Sequence, residues 1–308
     1  MAEKISIIIP VYNEAENIKP LYERLEKILK RYSYEIIFVD DGSRDSTAIE
    51  VERINKNKKD KRVSLISFKR NYGKSAALQA GFDYASGDII VTMDGDLQDL
   101  PEEIPKFLQA IKNSDLVVGW RWQRKDKATK RFASSIFNNL TRLIIGVNIH
   151  DANCGFKAMK REVAKSLNLY GELHRYLPAL AYVKGYKVSE IKIAHGKRLH
   201  GRSKYGVARM WRGFFDLLTV KFLSTFAKRP FHLFGGLGIL SFLSGFVIGA
   251  WLFSLWLIFG DIQGHTPAAI LSMLLIILGV QLISLGLIGE MIASQKAREK
   301  PYEIKKKL

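Results

Sequence analysis

Along the first 120 residues, blocks of apolar residues alternate with blocks whose apolar positions recur at helical spacing. Ile5–Pro10 is a short, isoleucine-rich run of the kind that forms a buried strand. A polar loop, Val11-Tyr12-Asn13-Glu14, follows it. In Glu16–Arg31 the residues Ile18, Leu21, Leu25, Ile28 and Leu29 then mark one face of a helix. The pattern repeats with strands predicted over Glu35–Val39, Val63–Ser67, Asp88–Met93 and Leu116–Val118. Helices are predicted over Asp45–Ile54, Lys74–Ala85 and Pro101–Lys112. Strands separated by helices of this length imply βαβ crossovers and a largely parallel sheet with its polar loops gathered on one edge. Past Trp120 the pattern loosens into a basic loop, Arg121–Arg131, an amphipathic helix, Phe132–Ile145, a turn at Asp151–Lys157 leading to a short strand, and a further strand, Lys187–Ile193.

The last third has a different texture. Met210–Phe226 mixes Trp211, Phe214, Phe215, Leu218 and Phe222 with Arg209, Arg212 and Lys221, which suits a helix lying in a membrane interface; an ordinary docking helix is the alternative. Leu233–Phe259 and Ala268–Ile288 contain no charged residue, and each reaches the roughly 20 residues a bilayer span requires. The connection Asp261–Pro267 lacks lysine and arginine, whereas Lys228 and Arg229 precede the first span and Lys296, Arg298, Lys300 and Lys305–Lys307 follow the second. The positive-inside rule therefore puts both ends of the hairpin in the cytoplasm. The expected organisation is a catalytic domain over 1–207, juxtamembrane helices over 208–230, two transmembrane helices over 231–292 and a basic tail over 293–308.

Charge sharpens this picture. The net charge of +18 is crowded into Lys56–Arg62, Arg121–Arg131, Lys192–Arg212 and Lys296–Lys307, and the last two clusters flank the apolar stretches, which favours an anionic lipid surface. No zinc spacing, aromatic RNA-binding signature or basic zipper helix supports nucleic-acid binding. A single cysteine, Cys154, excludes an internal disulfide framework. Met1-Ala2-Glu3-Lys4 runs straight into the first strand without a signal-peptide shape, so the catalytic part is expected to stay cytoplasmic, on an inner (plasma) membrane protein with both termini inside.

The candidate chemistry lies at strand ends. Asp94-Gly95-Asp96-Leu97-Gln98 follows the fourth strand, and two carboxylates at that edge suit a hard cation carrying phosphates. Tyr12 and Glu14 follow the first strand, Asp40-Asp41-Gly42-Ser43 the second, and Arg70-Asn71-Tyr72-Gly73-Lys74 the third, where Lys74 at a helix start adds charge near phosphates. Any one cluster alone reads equally as a turn or a helix cap. Four on one edge point to a site.

Together with His200-Gly201-Arg202-Ser203-Lys204-Tyr205, these motifs resemble inverting family 2 glycosyltransferases of the GT-A fold (α/β, Rossmann-like, mostly parallel sheet). The resemblance is to the polyprenyl-phosphate branch, which includes dolichol-phosphate mannose synthase and bacterial polyprenyl-phosphate glucosyltransferases. It covers roughly Ile5 to Gly206, and the following hairpin looks like that of the glucosyltransferases. It implies that Pro10, Tyr12, Glu14 and Asp41 hold the nucleoside and that Asp94, Asp96 and Gln98 surround Mg2+ or Mn2+ and the diphosphate. It also implies that Arg121, Arg131 and Ser135 receive the lipid phosphate and that Arg202 and Lys204 close over the phosphates. Asp94, Asp96, Arg121 and Arg131 would then be the catalytic set.

The implied partners are a nucleotide-sugar donor, a polyprenyl phosphate and the bilayer. The implied reaction is a single displacement with inversion. UDP-glucose is favoured as donor only through the hairpin, with GDP-mannose, UDP-N-acetylglucosamine or a UDP-aminoarabinose derivative as alternatives and a non-catalytic membrane scaffold as the competing class. Gly235, Gly236, Gly238 and the Gly245/Gly249 pair offer a close helix contact through which a homo-oligomer could form.

Overall fold

The computed structural model describes residues 3–58, 62–122, 149–196, 230–262 and 264–296. The chain divides into two compact units, Met1–Val220 and Lys221–Leu308.

The first unit is built on a seven-stranded sheet. Its strands are β1 (Ile5–Val11), β2 (Tyr34–Asp40), β3 (Val63–Ser67), β4 (Ile89–Thr92), β5 (Leu116–Arg121), β6 (Lys157–Lys160) and β7 (Val188–Ile193), in spatial order β3-β2-β1-β4-β6-β5-β7. All neighbours are parallel except β6, which runs antiparallel to both β4 and β5. That one reversal brings the loop before β6 to the edge where β4 and β5 end. The helices are α1 (Ala15–Leu29), α2 (Thr47–Lys58), α3 (Lys74–Tyr84), α4 (Ile104–Ala110, with a 3-10 turn at each end), α5 (Arg161–Ser166) and α6 (Leu177–Val183).

The elements follow from their side chains. Ile7, Ile8 and Ile9 of β1 are all fully buried because helices cover both faces of the central strands, so a continuous apolar run is what this position needs. In α1 the predicted stripe of Ile18, Leu21, Leu25 and Leu29 is the buried one. Predicted and observed ends differ by a few residues, the usual fraying of element termini. β1 pairs with β2 on one side and β4 on the other, so the strand order reverses between β1 and β4, and the crevice at such a switch point is where ligands bind.

The second unit comprises α7 (Pro230–Phe259) and α8 (Thr266–Lys296), both long and apolar enough to cross a membrane, with mean hydropathy of 2.1 and 2.5. They pack on each other through small residues. A side chain at Gly238 would meet the Gly279 carbonyl at 2.8 Å, and one at Gly245 would meet the Ser272 carbonyl at 2.7 Å. Ser272 Oγ and Ser241 Oγ donate across the pair to the carbonyls of Gly245 and Leu275, at 2.7 and 2.9 Å. Phe231 N donates to Glu290 Oε2 at 3.3 Å, so a carboxylate from α8 caps the start of α7. Gly238, Gly245 and Gly249 face α8 of the same chain, Gly235 faces the Phe231 ring of its own helix, and Gly236 looks into open space. Three of the glycines expected to serve oligomerisation, Gly238, Gly245 and Gly249, are therefore engaged inside the hairpin. The helices predicted over Phe132–Ile145 and Met210–Phe226 lie outside the described residues.

Candidate active site

The site is a carboxylate cluster at the C-terminal edge of β4, walled by loops from β2, β3, β5 and β6. Asp94 and Asp96 sit in a tight reversal whose Leu97 is buried and held at φ 63°. That left-handed backbone is unfavourable for a leucine by about 1–2 kcal/mol, and such strain is found where surroundings over-determine a geometry. Gln98 N donates to Asp96 Oδ1 at 3.2 Å, and Asp94 N donates to Asp99 Oδ2 at 3.0 Å. Asp96 and Asp99 are buried, and Asp94 is half-buried.

Cations from three other elements face these acids. Lys74, at the start of α3, donates from Nζ to Asp94 Oδ1. Burial opposes the charge of Asp94, but the Lys74 ammonium outweighs it and holds the carboxyl below its ordinary range. Asp99 faces the His195 ring, whose Nδ1 lies 4.0 Å from Oδ1. Its burial and the neighbouring Asp94 carboxylate push it up to about 7. Lys157, on β6 opposite Thr92 of β4, is buried and donates from Nζ to the Cys154 carbonyl; burial brings its pKa down to about 8. Arg121, at the end of β5, gives Nε and Nη2 to Asp151 Oδ2 and Oδ1 at 2.6 and 2.9 Å. The loop before β6 closes over Asp94 at Gly155, where a Cβ would stand 2.6 Å from Asp94 Oδ1.

The flanking loops are tied to this edge. Asp41, just after β2, accepts from Tyr72 N at 2.7 Å and Gly73 N at 2.9 Å; burial, with some contribution from Asp40, raises its pKa. Asp40 holds Ser43 N and Ser67 Oγ at 3.0 and 2.9 Å. Glu14, at the start of α1, accepts from Asn17 Nδ2 at 2.6 Å while its own N donates to Thr47 Oγ1 at 2.9 Å. Pro10 and Tyr12 are half-buried at the end of β1. This edge therefore offers carboxylates surrounded by fixed cations, an arrangement suited to phosphate-bearing ligands with a metal between.

A model of the family described as glycosyl transferase family 2 matches residues 6–167, which contain every strand of this edge except β7. The chain belongs to glycosyl transferase family 2. Among its relatives is the dodecaprenyl-phosphate galacturonate synthase of Rhizobium johnstonii, 36% identical over 96% of this chain and 89% of that one. Another is the undecaprenyl-phosphate 4-deoxy-4-formamido-L-arabinose transferase of Pseudomonas aeruginosa, 36% identical over 93% of this chain and 84% of that one. The fold is that of glucosyl-3-phosphoglycerate synthase from Mycobacterium tuberculosis, solved with Mn2+ and UDP-glucose, at TM-score 0.56 and 20% identity over 71% of this chain and 79% of that one. The GT-A fold and the glycosyltransferase class expected from the motifs are those of the chain. The glucose donor is not the one named in these relatives.

Of the residues singled out in this glycosyltransferase, Pro10, Tyr12, Glu14, Asp41, Lys74, Asp94, Asp96, Gln98 and Arg121 all lie on the β-sheet's C-terminal edge. Arg131, Ser135, Arg202 and Lys204 lie outside the described residues. Three of these residues have partners within the protein. Lys74 is paired with Asp94, Arg121 is clamped by Asp151, and Asp41 accepts backbone N–H groups of the Tyr72-Gly73 turn. Asp99, Asp151 and Lys157 went unnoticed in the sequence, because only the antiparallel β6 brings the last two to the carboxylates.

Among the described residues no group of three or more His, Cys, Asp or Glu side chains is arranged to hold a metal alone. The residues still fit a divalent ion shared with substrate. Mg2+ typically takes one or two protein carboxylates and completes its shell with waters and phosphates, and Asp94 and Asp96 stand two residues apart in one tight reversal at this edge.

Proposed function

We propose that the chain transfers a sugar, with inversion, from a nucleoside diphosphate to the phosphate of a polyprenyl phosphate at the cytoplasmic face of the inner membrane. The observation that carries this reading is the presence on one chain of the Asp94–Asp96 edge and a hairpin of bilayer-spanning length, along which relatives named for polyprenyl-phosphate sugar transfer match over more than nine-tenths of its residues. Those names support a uronate or aminoarabinose-type sugar over glucose.

The acceptor phosphate has a second pKa of about 6, so near neutrality it is already a nucleophile and needs no strong general base. Asp94 and Asp96 would hold Mg2+ or Mn2+, which when bound neutralises charge on the leaving diphosphate. Lys74 can exchange its ion pair with Asp94 for a donor phosphate. Arg121, oriented by Asp151, keeps a fixed positive charge beside the carboxylates, and Asp41 and Glu14 set the loops that frame the nucleoside. Catalysis on this reading is positioning and charge stabilisation.

The test is transfer from labelled UDP-galacturonate, UDP-4-deoxy-4-formamido-L-arabinose, UDP-glucose and GDP-mannose to undecaprenyl phosphate by the purified protein, with and without Mg2+ or Mn2+. Metal-dependent labelled lipid from one of the first two donors is expected. Product from UDP-glucose alone would overturn the donor assignment, and no lipid product from any donor would overturn the reaction.

A further inference from the structure

β5 ends in Trp120-Arg121-Trp122, and alternation along the strand sends Arg121 to one face and the two indoles to the other. The Arg121 face belongs to the site. On the opposite face Trp120 and Trp122 meet edge to face with centroids 4.6 Å apart, and His150 stacks on Trp120 at 4.1 Å with the planes within 10°. His150 is fixed in turn by Glu190 of β7, which accepts its backbone N–H at 2.8 Å and pairs with ring Nδ1. Lys192, in register with Trp120 on β7, lays its ammonium 3.8 Å from the centre of the Trp122 ring. Trp122 nevertheless remains 55% exposed. This indole is braced by its neighbours yet left outside the core, at the open end of an edge strand pair.

The end of β5 and β7 is part of the same C-terminal edge that carries Asp94 and Asp96. A polyprenyl chain keeps its phosphate at the membrane surface, so an edge that takes this phosphate must approach the headgroup layer, and the flank of the edge approaches with it. Indole rings partition to that layer, and an ammonium adds attraction to anionic headgroups of about 1 kcal/mol near the surface. Lys192 also opens the basic stretch Lys192–Arg212.

We propose that Trp122 and Lys192, braced by Trp120, His150 and Glu190, form a shelf that docks on the headgroup layer of an anionic bilayer beside the acceptor's approach to the site. The inference rests on the proposed reaction with a membrane-held acceptor. It is tested on the full chain in phosphatidylglycerol-containing nanodiscs, using lipids brominated either near the glycerol backbone or deep in the acyl chain to quench tryptophan. Because the chain has five tryptophans, the difference between the wild type and Trp122→Phe isolates the shelf. A Trp122 component quenched by shallow bromines is expected, and a component quenched only by aqueous acrylamide would overturn the shelf.

Kinetics give a second readout. Lys192→Ala should raise the KM for bilayer-embedded polyprenyl phosphate about fivefold, as expected for roughly 1 kcal/mol of lost surface attraction, and leave turnover of a short-chain polyprenyl phosphate in detergent unchanged. An equal loss in both carriers would mean that the cluster only braces the end of β5, overturning the docking role. Absence of product from the wild type in either carrier is a different result and overturns the reaction itself.

Discussion

Breaking the Arg121–Asp151 pair tests whether Arg121 is a ligand waiting for phosphate or a cation locked in place by the fold. Both side chains are largely buried, at 12% and 7% exposure, and are joined by two short, parallel hydrogen bonds. Burial opposes the guanidinium charge, but its hydrogen bonds to Asp151 and the neighbouring acidic groups outweigh this and raise its pKa. Removing one partner of such a pair leaves an uncompensated buried charge and costs about 3–5 kcal/mol. For a unit of this size each kcal/mol moves the melting temperature by about 2–4 °C, so Asp151→Asn should lower it by roughly 6–20 °C. Arg121→Met should do the same, and the double variant should be no worse than either single one, because the pair is lost only once. Thermal unfolding of the detergent-purified protein followed by near-UV circular dichroism supplies all three values. Turnover of Asp151→Asn at 25 °C should fall by at least about tenfold, as a positively charged group beside Asp94 loses its orientation. Additive single effects, or a shift under about 2 °C for Asp151→Asn, would refute the clamp and return Arg121 to the role of a free phosphate ligand.

Gly155→Ala would place a methyl group 2.6 Å from Asp94 Oδ1; steady-state assays should show turnover reduced by about tenfold or more, with overpacking that costs about 1–3 kcal/mol. His174 is held down to about 2 by burial and then by Lys74, so the stability it contributes is complete above its unfolded pKa of about 6.5 and is lost as pH falls toward 2. Melting temperatures between pH 6.5 and 4 should therefore fall with a slope that reflects up to about 1.4 kcal/mol per pH unit, and His174→Gln should flatten that slope. Gly238→Leu, whose side chain would meet the Gly279 carbonyl at 2.8 Å, should separate α7 from α8 and increase protease sensitivity of the hairpin without changing the mass of the detergent particle on light scattering. Asp96→Ala should abolish turnover in the transfer assay, and loss of the hydrogen bond from Gln98 N to its carboxylate, worth about 1 kcal/mol, should lower the melting temperature by a few degrees.

The division between what the sequence reveals and what it hides follows the range of the interactions. β1, β2 and β4 are legible because a central strand covered on both faces must be apolar along most of its length, β3 because its Val63, Leu65 and Ile66 interrupt two helical patterns, and α1 because one face of it must be apolar. Asp94 and Asp96 are legible for a related reason, since two carboxylates ending a buried run have no packing role to explain them. Asp151 and Lys157 give no such signal. Each looks like an ordinary polar residue around a short strand, and each acquires its role only because β6 inserts antiparallel between β4 and β5, a pairing that no local periodicity encodes. The same limit governs Lys74 and Arg121, whose chemistry was legible and whose partners were not. Both sit where charge is wanted, but a lysine paired with a carboxylate twenty residues away and an arginine clamped thirty residues away are facts of tertiary structure. The hairpin glycines make the point in the opposite direction. Their spacing correctly announces a close helix contact, and sequence cannot say whether the second helix belongs to another copy or to the same chain; here the short connection between α7 and α8 supplies the partner first. A local pattern thus identifies the need for a contact, and the fold decides which residue meets it.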